Sequence, residues 1–446
     1  MTHDDITKML QREMVPALGC TGPTAYALAA ARCRPLMTGP AEKMKVYVSP
    51  AFLKIGFGVA TPGTAEPGIP IAAAIGLMGG DWTLGLSVLK TCTEEDIERA
   101  RSFVREGRVE IFSDEEQTGV YVRAEVTTAN ETVAAVISGT HDGIISVELN
   151  GKSVFSKEMP EEAVKPDEDS LTPDMIFDYV DSVNTEELAF LLDGYELNMA
   201  LAEDGLKHEY GLASGRAYLK NCQGKSVPAD LYDDPMKYMP DSLEKKVKIL
   251  VSAASDARMG GSSCAALAAM GDGNQGITAT IPVGLAAEEY GADREKTIRA
   301  LALSCLMLFY VKIHIGRAAA FCMCAIAAAS GVAASVTYLK GGDRSAISAA
   351  VKNVIAPLAG MLCDGAKNAC ALKMEVAAAT ALIATELAEA KIEVGYYDGV
   401  ADETLEETVE GVTSIAMKSM NMLDGLMVEE ILAKENRKNT QTDHRQ

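Results

Sequence analysis

Val120-Tyr-Val-Arg-Ala-Glu-Val-Thr-Thr128 alternates apolar and polar side chains residue by residue. A period of two is the pattern of a half-buried β-strand, not of a helix. Further strands are expected on either side of it, at Arg108–Phe112, Thr132–Ser138 and Gly143–Leu149, the last ending at the hairpin-type pair Asn150-Gly151. Upstream, Lys43-Met-Lys-Val-Tyr-Val-Ser49 has the same alternation, and Thr93 stands where a cap for a charged amphipathic helix over Glu94–Arg105 belongs. Residues 40–155 therefore read as an α+β domain. Outside them the texture is helical: a first helix over 4–15, an Ala-rich one from Pro23 to Cys33, and nearly everything from Thr172 to Leu432. The chain is expected to be α+β, with a large helical domain from 1–39 and 165–435 into which the sheet-containing domain is inserted.

The 446 residues suffice for two or three domains with ample core. Of these residues 48% are hydrophobic and only 5% aromatic, so the interior is built from small side chains. A net charge of −22 argues against nucleic-acid and anionic-membrane partners, which would repel it. The polar start of the chain reads as no signal peptide, and ten cysteines in so long a chain are not a secreted scaffold. A cytoplasmic setting is expected. Ala318–Tyr338 carries no charge and is long enough for a membrane span. Its Ala, Ser, Gly and Cys content suits a core helix better.

The chemistry is concentrated in a few short stretches. Cys363-Asp-Gly-Ala-Lys-Asn-Ala-Cys370 follows Cys322-Met-Cys324 at the spacing C-x40-C-x6-C, which is no zinc-finger pattern. Two cysteines two apart on one helix point in different directions, so only one of Cys322 and Cys324 is expected at a given site. Cys20 precedes a helix start, where free N–H groups favour a thiolate or an anion; an ordinary loop cysteine is the equal alternative. Gly271-Asp-Gly-Asn-Gln-Gly276 has the glycines of an anion-cradling loop but no P-loop Lys-Ser/Thr, and no strand is evident before it. Asn274 and Gln275 there could hydrogen-bond an amino-acid carboxylate or amine; an interhelical turn is the bland alternative. Asp364 and Lys367 are an ion pair or a substrate clamp. His141, one of five histidines, is either a turn residue or a catalytic base.

Read together, Gly19-Cys-Thr-Gly-Pro23, Gly271-Asp-Gly-Asn-Gln-Gly-Ile-Thr-Ala279 with Pro282, Ile315-Gly-Arg317, Cys322-Met-Cys324, Gly360-Met-Leu-Cys-Asp-Gly-Ala-Lys367 and Cys370-Ala-Leu-Lys373 resemble the bacterial and archaeal L-cysteine desulfidases. These are relatives of the iron–sulfur L-serine dehydratase alpha chain. The resemblance spans nearly the whole chain. It implies a [4Fe–4S] cluster held by three cysteines with one iron open as a Lewis acid. The ligands it points to are Cys363, one of Cys322 and Cys324, and either Cys370 or Cys20. It further implies Asn274, Gln275 and Thr21 as substrate-binding residues and Lys367 and His141 as catalytic ones. The activity implied is a carbon–sulfur or carbon–oxygen lyase, L-cysteine desulfidase-like, acting on a small amino acid. The alternatives are L-serine dehydratase-type activity and a non-catalytic cluster- or ligand-binding homologue. This chain departs from the desulfidase pattern at Gly22 (usually Glu), at Cys305 (usually His) and at Asp142-Gly143 (usually Thr-Asn), which bears on substrate choice. A helix-rich surface leaves room for a homodimer.

Overall fold

The computed structural model describes residues 1–18, 21–62, 64, 66–117, 119–157, 168–316 and 319–443. In chain order the elements begin α1 (His3–Glu13), β1 (Met14–Leu18), α2 (Thr21–Cys33), β2 (Lys43–Val48), α3 (Pro50–Gly56), α4 (Ile69–Gly79) and α5 (Glu94–Arg105). Then come β3 (Val109–Ser113), β4 (Tyr121–Thr127), β5 (Thr132–Ser138), β6 (Ile144–Leu149), β7 (Lys152–Ser156), α6 (Pro173–Ser182), α7 (Phe190–Lys207) and α8 (Ser214–Cys222). The rest is α9 (Leu243–Met259), β8 (Ala265–Ala269), α10 (Gly273–Glu289), α11 (Arg294–Ile315), α12 (Ala329–Leu339), α13 (Arg344–Leu358), α14 (Cys370–Glu389) and α15 (Leu405–Asp443). The class is α+β.

The chain divides into two compact units. One comprises Met1–Gly19, Lys165–Cys363 and Asn368–Met420; the other comprises Cys20–Val164, Asp364–Lys367 and Asn421–Gln446. The sheet-containing unit thus begins at Cys20, earlier than the residue 40 expected from composition. The cause is α2, which packs on α4, β4 and β5 and so belongs with the sheet.

In the sheet-containing unit six strands lie in the order β3-β2-β4-β5-β6-β7. Only β2 and β3 run parallel, and α3 to α5 carry the chain across between them. Buried and half-buried residues alternate along β2 and β4, as their period of two requires. Val46, Val122, Ala124 and Val126 reach the core beneath α2. Asn150 and Gly151 both adopt positive φ, 52° and 73°, the hairpin geometry this pair favours. Thr93 caps α5 with a reciprocal capping box to Asp96. Two elements escape the sequence pattern. The helix α3 is capped by Ser49 with proline in its first turn, and β7 has no buried residue to betray it.

The other unit is a helical assembly around α10, whose residues from Gly273 to Ala287 are all buried. Helices α7, α9, α11 and α12 pack against it. The packing is close because small residues allow it: a β-carbon on Gly205 would fall 2.0 Å from the Ala253 carbonyl oxygen, and one on Gly331 2.2 Å from that of Ser304. The segment expected as one core helix over Ala318–Tyr338 is buried from Ala319 to Thr337, but it is regular only in part. A π turn at Cys324–Ala328 precedes α12. Among the described residues one helix is long and apolar enough to cross a membrane, α11, and 83% of its apolar stretch is buried.

Two strands appear that the sequence pattern does not announce, one running from the end of the first expected helix into the residues after it, the other within the stretch expected as helix. Met14-Val-Pro-Ala-Leu18 leaves α1 and pairs antiparallel with Ala265–Ala269, Met14 opposite Ala269 and Leu18 opposite Ala265. Ala-rich sequence favours helix locally, so the strand at 265–269 is made by a partner about 250 residues away, a tertiary override of propensity. Pro16, which cannot donate to a ladder, is tolerated in so short a ribbon.

Candidate functional site

The strand β8 corrects the reading of Gly271-Asp-Gly-Asn-Gln-Gly276: a strand does precede it, and the motif is a strand–turn–helix unit. Met270 and Gly271 form the two-residue turn, both at positive φ (46° and 81°), with Ala269 and Asp272 exchanging backbone hydrogen bonds of 3.0 Å. A non-glycine residue in that region costs free energy and persists where its surroundings fix it. Here the Met270 N–H donates to the Glu13 carbonyl (2.9 Å), and its own carbonyl accepts from Lys312 Nζ (3.2 Å).

Asp272 caps α10. One carboxylate oxygen accepts from the Asn274 N–H and the other from Gln275 Nε2, both at 2.9 Å. Burial alone would raise this carboxyl. The charges of Arg258 and Lys312 and the two hydrogen bonds outweigh it and hold the group below the usual carboxylate range. Arg258, at the end of α9, donates from Nη1 to Asn274 Oδ1 at 3.1 Å. Asn274 Nδ2 in turn meets Met259 Sδ at 3.6 Å. Arg258, Lys312, Asn274 and Gln275 are all buried. Two atoms in this group have no hydrogen-bond partner among the described residues: Arg258 Nε and Gln275 Oε1.

The thiols lie where the π turn meets the loop before α14. Phe321 and Leu362 form an antiparallel bridge. The Cys322 N–H donates to the Met361 carbonyl (2.8 Å) and the Cys363 N–H to the Ala320 carbonyl (2.7 Å), so two cysteines with 40 residues between them are stitched side by side. Lys373 Nζ clasps the Leu362 carbonyl at 2.7 Å. Cys322 and Cys324 do not diverge as two residues on one α-helix would. Cys322 stands before the π turn and Cys324 opens it, and their sulfurs share a hydrogen bond. That bond, with the Ala325 N–H and the charge of Lys373 also favouring thiolate, brings Cys322 down to about 7 against burial and the charge of Asp272. The same bond and burial push Cys324 well above the usual thiol range, with Asp272 and Cys370 adding to the rise. Cys370 is the first residue of α14. The bundle unit thus gathers Cys322, Cys324, Cys363 and Cys370 in one neighbourhood, within electrostatic reach of Asp272. Interrupted helices of this π type occur often at functional sites.

The remaining candidates fall in the sheet-containing unit or outside the described residues. His141 sits in the turn after β5, its ring 5.5 Å from that of Phe52. Lys367 Nζ is 3.1 Å from Asp364 Oδ2, the ion-pair alternative read from sequence. Gly58 bridges to Lys367, and Gly365, at φ 93°, leaves room for the Lys54 carbonyl. Cys20 lies outside the described residues, as does the side chain of Thr21. Arg258, Lys312 and Asp272 were not picked out by the sequence reading. The signal was one cation in each of two stretches with few charges, Ile249–Met259, where Asp256 is the other charged residue, and Leu301–Val311 followed by Lys312.

Among the described residues no three His, Cys, Asp or Glu side chains stand in an arrangement ready to hold a metal ion. The donors present are nonetheless of one kind, four thiols from three short segments with a thiolate stabilised among them. That soft donor set fits an iron–sulfur group in its chemistry.

Comparison with known proteins agrees with this picture. Residues 83–429 match the model of the serine dehydratase alpha chain. A UPF0597 protein of Caldanaerobacter subterraneus subsp. tengcongensis is 34% identical over 437 residues, 96% of this chain and 98% of the relative. One from Photobacterium profundum is 36% identical over 421 residues, 93% and 95% of the two chains. YhaM of Escherichia coli O139:H28, also a UPF0597 protein, is 36% identical over 431 residues, 95% and 96%. With the matched region covering the bundle, the thiols and the strand–turn–helix unit, this chain belongs to the serine dehydratase alpha chain family.

Proposed function

We propose that this protein is an iron–sulfur-dependent β-eliminating lyase acting on a small amino acid, L-cysteine first, giving pyruvate, ammonia and sulfide. The observation that carries the reading is the thiol neighbourhood: Cys322 and Cys363 tied by a backbone bridge, with Cys324 and Cys370 beside them. Cys322, Cys363 and Cys370 would hold a [4Fe–4S] cluster, with Cys20 the alternative third ligand. Such a cluster, when bound, supplies an open iron that draws electron density from the substrate's β-sulfur or β-oxygen. The protein's own part is to bind and orient the amino acid at the first turn of α10, where Asp272, Asn274 and Gln275 lie. The Cα proton leaves to a protein base, the Cβ–S bond breaks, and the enamine tautomerises and is hydrolysed by one water to pyruvate and ammonia. His141 and Lys367 are the candidate proton carriers. A cytoplasmic setting suits a site made of reduced thiols. The name of the family favours L-serine as a second substrate reading, with water leaving in place of sulfide.

The test is anaerobic treatment of the full-length protein with ferrous iron and sulfide, followed by titration with L-cysteine. A sulfide-to-iron absorption band that shifts on addition, together with pyruvate formation, is the expected result. A loaded protein that turns over neither L-cysteine nor L-serine refutes the reading and leaves a non-catalytic cluster-binding homologue.

A further inference from the structure

The two orphaned atoms around the first turn of α10 are complementary in kind. Arg258 Nε is a donor on a cation and Gln275 Oε1 is a neutral acceptor, and neither finds a partner among the described residues. A buried polar atom left unsatisfied costs about 1–3 kcal/mol, so a donor at the end of α9 and an acceptor on the first turn of α10 both call for a partner. The orientation of the Gln275 amide is fixed, because its Nε2 donates to Asp272 Oδ2; turning it over would set oxygen against carboxylate. The Arg258 side chain lies against the start of the helix. A β-carbon on Gly273 would fall 2.3 Å from Arg258 Nε, so glycine at that position leaves the guanidinium its place. The charges are arranged likewise: the Arg258 and Lys312 cations both act on Asp272, at the positive end of a 17-residue helix.

Taking the amino-acid substrate of the reading above, we propose that this turn recognises both ends of a zwitterionic α-amino acid. The carboxylate goes to Arg258 Nε, and the ammonium goes to Gln275 Oε1 and the Asp272 carboxylate. Arg258 is thereby a specificity-determining residue, and α-hydroxy acids are disfavoured because a neutral hydroxyl, with one proton to donate, cannot serve both Gln275 Oε1 and the Asp272 carboxylate or balance the charge of the latter. An α-carboxylate placed the other way round would meet the Asp272 charge. The two clefts of about 570 and 520 Å³, lined by residues such as Arg34 and Glu98 in one and Lys340 and Asp343 in the other, contain none of these groups.

Calorimetric titration of the full-length protein tests this, both as purified anaerobically and after treatment with iron and sulfide. The probes are L-alanine, which has both charged ends but no leaving group, and its relatives L-lactate, propionate and ethylamine, each lacking one end. L-Alanine is expected to bind saturably, and the three relatives roughly tenfold to hundredfold more weakly, the factor for one lost charged hydrogen bond. Arg258→Lys, which keeps the charge but not the Nε donor, should weaken L-alanine by the same factor and leave ethylamine unchanged. Gln275→Met should weaken L-alanine and leave propionate unchanged, and it decides the matter alone if Arg258→Lys does not fold. Equal binding of L-lactate and L-alanine, no saturable binding of L-alanine, or variants that bind it like wild type would each overturn the proposal. The L-alanine series is read without turnover. A protein that shows the expected binding pattern and no β-elimination therefore refutes the lyase reading and not this one.

Discussion

Gly276→Ala should loosen the unit that carries Asp272, Asn274 and Gln275. A β-carbon at this position falls 1.8 Å from the Leu267 carbonyl oxygen, where ordinary contact begins near 3.4 Å, so α10 and β8 would have to part by about 1.6 Å. The obstructing atom is backbone in a strand held by β1, and it cannot swing aside as a flexible side chain could. Overpacking of this kind costs about 1–3 kcal/mol. The helix regains up to about 1 kcal/mol because alanine is the better helix former. With the contact at the severe end, a net loss of about 2 kcal/mol is expected, which speeds local opening roughly thirtyfold. Hydrogen exchange read on peptides covering 265–289 measures that opening segment by segment, without requiring two-state unfolding of the whole chain. Gly425→Ala is the control, since nothing lies within 4 Å of its added carbon, and exchange there should stay the same or slow. Exchange in β8 and α10 of Gly276→Ala within threefold of wild type would refute the close-packing argument.

Three further outcomes follow from single contacts. Lys54 is buried and its Nζ lies 2.6 Å from Asp424 Oδ1, so Lys54→Met leaves a largely buried carboxylate unpaired; a loss of about 3 kcal/mol is expected, seen as faster hydrogen exchange in the C-terminal part of α15. Burial pushes the Cys33 and Cys305 thiols up to about 12, so iodoacetamide at neutral pH should label exposed Cys222 in the native protein and reach those two only after denaturation, as peptide mass spectrometry would report. Burial raises the Asp256 carboxyl above its ordinary range, against hydrogen bonds from Ser214, Gly215 and Leu212. Its protonated form is favoured by folding, so its contribution to stability is full below the unfolded value and is lost as pH rises through the folded one. Asp256→Asn should abolish that downward slope, and parallel pH profiles of thermal midpoint for variant and wild type would contradict it.

What the sequence determined by itself was whatever short-range chemistry dictates. Alternation marked β2 to β6, Asn150-Gly151 marked the turn that ends β6, and Thr93 marked the start of α5, because side-chain period, turn stereochemistry and capping act within a few residues. The family was legible too, from ordered motifs carried on residues whose types are visible without coordinates. Contacts between distant segments were not. The strand Ala265–Ala269 has the local preferences of a helix and becomes a strand only because Met14–Leu18 pairs with it. That pairing turns a glycine-rich loop into the N-terminus of α10. The meeting of Cys322 with Cys324 depends on a π turn, which no side-chain period announces. By residue type nothing sets Arg258 and Lys312 apart from the other cations of their helices; their importance lies in acting on Asp272 from α9 and α11, an electrostatic relation across 14 and 40 residues of chain that only the folded bundle creates.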